Sequence, residues 1–227
     1  MHQKQLRTFA ANSNLIDMEK LIESLKQFEE KVNVVSNETE LQSIFKELAP
    51  AFLYGGYIQV RNDYRVYIRT VEFYFHSEKD SGIHDPIVYH RNGRDLEEVP
   101  YFSIMTLHSH DSGFDITFES EKDTYRASAL IRAYEVKDKE GKYLEWDKKS
   151  MFLKYPTYKY NTQSLYLRKL LNGFSLGNGN EVKWVDAPRE QTLSITDKKR
   201  QNVYQFDPEG NKVKCDRRWS FTRIEQV

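Results

Sequence analysis

The sequence predicts a single α+β domain, with a mostly antiparallel, strongly curved sheet, a helical N-terminus and a few short helices. Three observations predict it. Apolar side chains recur at helical spacing through residues 1–53. From Tyr57 onward the pattern changes to short β-branched and aromatic runs separated by turn residues. No internal repeat, low-complexity tract or clear linker divides the 227 residues, a length that one core can serve. The expected organisation is a helical segment, 1–53, packed on an antiparallel body, 54–227.

Met18, Leu21, Ile22, Leu25 and Phe28 follow the i, i+3, i+4, i+7 spacing of a buried helical stripe, with Asn14 as cap and Asp17 and Glu19 in the first turn. A second helix is predicted from Ser36 or Asn37, where Asn37 and Glu40 stand at capping-box spacing. Its stripe is Leu41, Ile44, Phe45, Leu48 and Phe52, and Gly55-Gly56 ends it. Residues 57–60 and 65–71 read as a hairpin across Arg61-Asn62-Asp63. Residues 76–100, with Gly82, Pro86, Gly93 and Pro100, form a long polar loop of the kind that often carries function. Strands are predicted at 101–107, 114–119 and 125–136. A short helix follows at Ser164–Leu171, then strands at 181–186, 190–195, 201–206 and 217–224.

Composition narrows the function classes. With 34 Lys+Arg against 34 Asp+Glu, whole-molecule attraction to a polyanion is absent. An apolar fraction of 39% excludes a disordered acidic chain. One cysteine, Cys215, allows no internal disulfide and suits a reducing compartment. The first residues lack the apolar core of a secretory signal, His2 excludes N-myristoylation, and no run approaches the roughly 20 apolar residues of a membrane span. The expectation is a soluble, cytoplasmic monomer.

Most motifs are absent or weak. Neither G-x-G-x-x-G nor a P-loop occurs. Gly173-Phe174-Ser175-Leu176-Gly177 matches G-x-S-x-G, but a nucleophile elbow needs a strand before the serine, and here a predicted helix precedes it. Cys215, among Lys212, Lys214, Arg217 and Arg218, is either an activated thiolate or an ordinary strand residue. His108 and His110 would share one strand face, but spacing dictates no third ligand, so no metal is assigned.

The residues that suggest chemistry lie in 69–84 and 126–136. Glu72 ends an aromatic-rich strand, His84 follows in the polar loop, and Arg132 interrupts the apolar run Ala129-Leu130-Ile131. A buried guanidinium needs an acceptor, and Glu72 is the natural partner.

These stretches resemble the methylpurine (3-methyladenine, alkyladenine-type) DNA glycosylases. Leu48-Ala49-Pro50-Ala51-Phe52-Leu53 is similar to that family's "LA-x-x-LL/FLG" helix. Ile68-Arg69-Thr70-Val71-Glu72-Phe73-Tyr74 is similar to its "(I/V)-V-E-T-E-A-Y" strand. His84 and Arg91-Asn92 stand near its loop histidine and "R-N", and Ala129–Glu135 resembles "V-L-(L/I)-R-A-L-E-P". The likeness covers residues 45–136, with looser matches at Leu165–Leu171 and Arg218–Phe221 and none in 1–35.

The resemblance implies a monofunctional hydrolysis of the N-glycosidic bond of a modified base in DNA, flipped from the duplex or taken from a single strand, without metal or cofactor. Glu72 would activate the attacking water. Arg132, with the backbone near His84, would hold that water. Tyr74 and His84 would sandwich the base. Chemistry concurs, since excision needs the base out of the stack and between aromatic faces. A carboxylate steadies the oxocarbenium-like sugar.

Departures matter. The family's tyrosine-rich hairpin, "L-Y-V-Y-I-x-Y-G-M", is replaced by Leu107-His108-Ser109-His110-Asp111-Ser112-Gly113-Phe114-Asp115, which has no evident intercalating aromatic. His108 and His110 fall near pocket tyrosines. Asp115 stands near a base-screening asparagine, where it would accept a hydrogen bond from an exocyclic amine.

Each residue also has a plainer reading: Glu72 as a solvated strand carboxylate, Arg132 as a structural ion-pair partner, Tyr74 as packing, and His84, His108, His110 and Asp115 as polar surface. Two other functions therefore stay open, a non-catalytic nucleic-acid or protein-binding module and a nucleoside or single-strand N-glycosidase.

The even charge balance is an average over unlike parts. Residues 54–136 carry 9 basic and 14 acidic side chains; residues 137–227 carry 19 and 12. Lys198, Lys199, Arg200, Arg217 and Arg218 are the predicted contacts to a DNA backbone.

Overall fold

The computed structural model describes residues 20–60, 62–85, 87–88, 91, 99–110, 113–143, 180–187, 194–200, 203–206 and 209–224. Two helices, α1 (Lys20–Val32) and α2 (Glu38–Tyr54), precede eleven strands: β1 (Gly56–Val60), β2 (Tyr64–Ser77), β3 (Thr106–His110), β4 (Gly113–Thr117), β5 (Tyr125–Asp138), β6 (Asn180–Glu181), β7 (Trp184–Asp186), β8 (Ile195–Lys198), β9 (Tyr204–Phe206), β10 (Lys212–Lys214) and β11 (Ser220–Arg223). Nine form one sheet in the order β6-β3-β4-β5-β2-β1-β7, with β11 on β2 and β8 on β11; β9 and β10 pair separately. The described pairings are antiparallel. The sheet is strongly curved, a half-barrel, and with the helical N-terminal region it makes the predicted α+β class.

The Asn37 cap forms as expected. Its side chain accepts from the Thr39 and Glu40 amides, and Glu40 accepts in return from the Ser36 amide at 2.9 Å. In α1 the buried positions are Leu21, Leu25, Phe28 and Val32, whereas Ile22 is 39% exposed, so the stripe is narrower than predicted. Asn14, Asp17, Met18 and Glu19 lie outside the described residues. Gly55 has φ −76°, so it is not a left-handed cap. Space requires the glycines: a Cβ would stand 2.3 Å from the Ala51 carbonyl oxygen at Gly55 and 2.2 Å from that of Val185 at Gly56.

The hairpin β1–β2 forms as predicted, and β2 runs on through Glu72 and Tyr74 to Ser77. The strand expected at 101–107 begins only at Thr106, because Met105 takes a left-handed backbone (φ 64°) that breaks an extended run. Residues 181–186 are two strands on opposite margins of the sheet, not one. Residues 190–193 of the strand expected at 190–195 lie outside the described residues, β8 runs from Ile195 to Lys198, and β10 was not foreseen. The Ser164–Leu171 helix and the G-x-S-x-G match fall outside the described residues. Among the described residues no helix is long and apolar enough to cross a membrane.

One face of the sheet packs on α1 and α2. Phe45 stacks on Phe73 at 4.7 Å between ring centroids and on Phe28 at 5.7 Å, while Phe52, Phe118 and Trp219 meet this stack edge-on. Phe45 and Phe73 are fully buried. Truncating Phe73 to alanine removes that stack and leaves a cavity, so urea denaturation is expected to read a loss of about 3–5 kcal/mol. Asn37→Ala, which deletes only the cap, is expected to cost about 1 kcal/mol.

Candidate functional site

The opposite face of the sheet is polar. In β2, Val66 and Ile68 face the helices before a register shift at Ile68–Val71, and Val71, Phe73 and Phe75 face them after it. β5 changes phase at the same level, from Val136 and Tyr134 to Ile131, Ala129 and Ala127. The shift turns Glu72 and Arg132 away from the helices. Such bulges commonly re-aim side chains beside functional sites.

Directly paired residues share a face. Lys198, Ser220, Glu72, Leu130, Asp115 and His108 therefore form one row across β8, β11, β2, β5, β4 and β3. Tyr74, Ser128, Thr117 and Thr106 form the next. Much of this face is closed to solvent: Glu72 and Ser220 are 0% exposed, Ser128 1% and Asp115 3%. The Ser128 and Ser220 hydroxyls have no hydrogen-bond partner among the described residues. A buried unsatisfied polar group costs about 1–3 kcal/mol, so this face is not arranged for stability alone.

Glu72 is the centre. Its Oε1 accepts from the Tyr74 hydroxyl and, at 2.6 Å, from Arg132 Nη2, which also lies 3.2 Å from the Tyr74 oxygen. Burial, then the Glu72 carboxylate, push the Tyr74 phenol well above the ordinary tyrosine range, so it stays a proton donor. Burial alone would lower the Arg132 pKa, but Tyr74 and Glu72 outweigh it and hold the guanidinium above the ordinary arginine range. The result is a permanently cationic clamp on a buried carboxylate. It can orient that carboxylate and balance its charge.

No family model, curated protein or solved structure matches the chain.

Of the sequence-predicted residues, the structure brings Glu72, Tyr74 and Arg132 together and puts Asp115 and His108 in the row of Glu72. Glu72 and Asp115 are separated by one strand, about 10 Å between backbones. The His108 ring leans on Phe102, 5.1 Å between centroids. His110 closes β3 opposite Gly113, and its side chain lies outside what the structure describes. Among the described residues no group of three metal-ligating side chains converges.

His84 departs from its predicted role. Its ring is exposed, lies 5.2 Å from the His76 ring and bonds the Lys79 carbonyl, so it does not form a sandwich with Tyr74. The His84 carbonyl, expected to help hold a water, accepts from Arg217 at 2.8 Å. The Tyr74 ring is covered instead by the Arg200 guanidinium, 4.8 Å from its centroid, and packs with Val88 and Leu130.

Of the predicted backbone-binding cations, Arg200 is corrected and the others are placed as follows. Arg200 is 5% exposed and bonded to Asp85 and the Cys215 sulfur, so it is an interior residue. Arg217 pairs with Asp85 and Glu38, Lys199 with Asp216 and Arg218 with Asp197. Lys198 sits half-buried in β8. Four of the five charges are thus matched within the fold.

The sequence reading missed Asp85, 1% exposed between Arg200 and Arg217, and Arg126, 0% exposed. Arg126 is bound by Glu78, Glu119 and the Val99 and Pro100 carbonyls under the Tyr101 ring. Arg126 stands at even spacing from Ser128, Leu130 and Arg132, a signal available in the sequence. Asp85 carried no such signal.

Removing one partner of a buried ion pair strands the other. Arg132→Leu is therefore expected to cost about 3–5 kcal/mol in urea denaturation, and the Glu72→Leu/Arg132→Leu pair markedly less than the sum of its single changes. His76 supplies a pH dependence. Burial lowers its pKa below the ordinary 6.5, against the opposing pull of Glu78 and Asp85 and with the help of His84 and Arg91. Its Nδ1 accepts from the Asp85 amide at 3.0 Å, which requires the unprotonated nitrogen. Below pH 6.5 the unfolded chain binds a proton that the folded chain refuses, so this contribution falls as pH drops from about 6.5 through the folded pKa. In thermal melts between pH 7 and pH 5, His76→Gln should show a smaller loss of stability than the wild type.

Proposed function

We propose that the chain is an N-glycosidic hydrolase acting in the cytoplasm on a modified base in DNA, with Glu72 as the group that activates water. The observation that carries this reading is the fully buried Glu72 carboxylate. It is held on one oxygen by the Tyr74 hydroxyl and Arg132, in a row of buried polar residues on the face away from the core. A desolvated charge with specific partners outside the apolar core is a functional-site candidate.

In the proposed reaction Glu72 takes a proton from water as the water oxygen bonds to the sugar C1′. The carbon–nitrogen bond breaks, the base departs with that electron pair, and the proton taken up by Glu72 passes to it through solvent, which restores the carboxylate. Negative charge beside the developing oxocarbenium ion lowers the barrier. Tyr74 and Arg132 are positioning groups that keep the carboxylate aimed. With the Arg200 guanidinium over the Tyr74 ring, the role of Tyr74 is to hold Glu72 rather than to stack a base. Asp115 and His108, in the row of Glu72, are the groups assigned to read the base edge.

The complete burial of Glu72 favours a second reading, in which Glu72, Tyr74 and Arg132 form a structural triad in a non-catalytic binding module. One experiment separates the two. DNAs carrying alkylated, deaminated and bulky bases are incubated with wild type and Glu72→Gln, and free bases are measured by mass spectrometry. Glutamine keeps an oxygen to accept from Tyr74 and Arg132 but cannot take a proton. The expected result is release by wild type and a drop of about 100- to 10,000-fold in the variant, with an unchanged fold. Equal release by both would sink the mechanism. Release by neither, with Glu72→Gln altering only stability, selects the structural triad.

A further inference from the structure

The polar face continues beyond Glu72 into a ladder of tyrosines and cations. Before the register shift, β2 turns Arg65 and Tyr67 to this face, while Val66 and Ile68 face the core. Tyr57 of β1 meets Tyr67 at 5.3 Å between ring centroids, inclined at 47°. The Arg65 guanidinium lies 5.4 Å from the Tyr57 centroid. Lys137 of β5, directly opposite Arg65, places its Nζ 5.1 Å from the Tyr67 centroid and 4.5 Å from that of Tyr143. Tyr143, bridged to Lys137, is 50% exposed.

The charges here differ from four of the predicted backbone-binding cations. Lys199, Arg200, Arg217 and Arg218 each face a carboxylate. Among the described residues neither Arg65 nor Lys137 has a carboxylate within ion-pair distance; both lie against rings. The one acid in this row, Glu135, is taken by Arg69. The described residues thus present aromatic faces and positive charge side by side, on the same face as Glu72. Tyr67 stands five residues from Glu72 along β2, about 16 Å at strand rise.

We propose that Tyr57, Tyr67 and Tyr143, with Arg65 and Lys137, form a stacking platform for a single strand of nucleic acid leading to Glu72; the choice of nucleic acid rests on the proposed function. Bases take the ring faces now covered by the cations, and the cations move to the phosphates. A single strand offers a planar base and a phosphate at every nucleotide, so the pattern of alternate ring and cation favours nucleic acid.

The test is binding of the full chain to a short fluorescein-labelled, unmodified single-stranded DNA, followed by anisotropy over a salt series. Tyr67→Leu should weaken binding about five- to 100-fold. Arg65→Gln and Lys137→Gln, surface changes that leave the strands intact, should each reduce the steepness of the salt dependence by about 0.7. Lys31→Gln, on the helix side and paired with Glu47, should change neither. Unlabelled single strand should displace the probe far better than duplex DNA or polyglutamate of equal charge. The proposal is overturned if the three ladder variants bind like wild type, or if duplex or polyglutamate competes as well as the single strand. Ladder-dependent binding without base release from any substrate removes the proposed reaction and leaves the platform. Release that depends on Glu72 but not on the ladder does the reverse.

Discussion

The register shift at Ile68–Val71 is the constraint on which the site depends. A regular strand that buries Val66 and Ile68 against the helices would bury Thr70 and Glu72 there as well. It would drive a carboxylate into the stack of Phe45, Phe52 and Phe118 and leave Phe73 outside. The helices need Phe73, which lies flat on Phe45. Changing phase within β2, and again in β5, lets one pair of long strands serve two environments. Apolar residues meet the helices along the whole length of the strands. On the other face the ladder tyrosines occupy one half and Glu72, Tyr74 and Arg132 the other. The same shift that completes the core therefore aims the carboxylate away from it.

A buried polar face must be held shut, and two arginine clamps do this. Arg126 grips Glu78 at the start of the long loop and the Val99 and Pro100 carbonyls near its end, while Glu119 of the sheet side completes its shell. Asp85, within the same loop, is gripped by Arg200 and Arg217 from the C-terminal region. The loop is thus tied to β5 at both ends and to the C-terminal segment in between. Removing Arg126 would take the cation from the buried Glu119, and removing Arg200 would leave Asp85 to Arg217, so loss of a guanidinium from either clamp is costly. Arg200 also links the second clamp to the site, since its guanidinium lies over the Tyr74 ring while bonded to Asp85. A displacement of the loop at Asp85 would therefore be felt at the hydroxyl that holds Glu72. Any opening that admits a substrate has this route to the carboxylate.

The parts of the molecule set by local chemistry were legible in the sequence. The Asn37 cap, the two helical stripes and the hairpin at Arg61-Asn62-Asp63 depend on residues close in the chain. The Glu72–Arg132 pairing was legible for another reason. An arginine inside an apolar strand demands a partner, and few carboxylates lie in comparable surroundings. What stayed hidden depends on long-range geometry. The register shift leaves no distinctive residue behind; Arg69 and Thr70 would suit an unbroken strand. His84 looked like a stacking partner from its order along the chain, but the loop carries it to His76 instead. Met105 halts an extended run through a backbone conformation that its side chain does not advertise.

The charge distribution draws these observations together. An acidic centre and a basic C-terminal region suggested a surface for a polyanion at one end of the chain. In the fold the two are complements. Arg200 and Arg217 meet Asp85, Arg217 reaches Glu38 as well, and Arg218 and Lys199 find acids within their own region. The excess positive charge of residues 137–227 is in part the adhesive that fastens the C-terminal strands over the acidic loop. Arg200, buried and bonded to Asp85, is not placed to neutralise a phosphate. Arg65 and Lys137 lie where the sequence drew no notice, against tyrosines on the outer face of β2 and β5. A basic residue in a chain of balanced charge is informative less by its number than by what faces it. Opposite a carboxylate it is structure, and opposite a ring, on the face that carries Glu72, it is available for recognition.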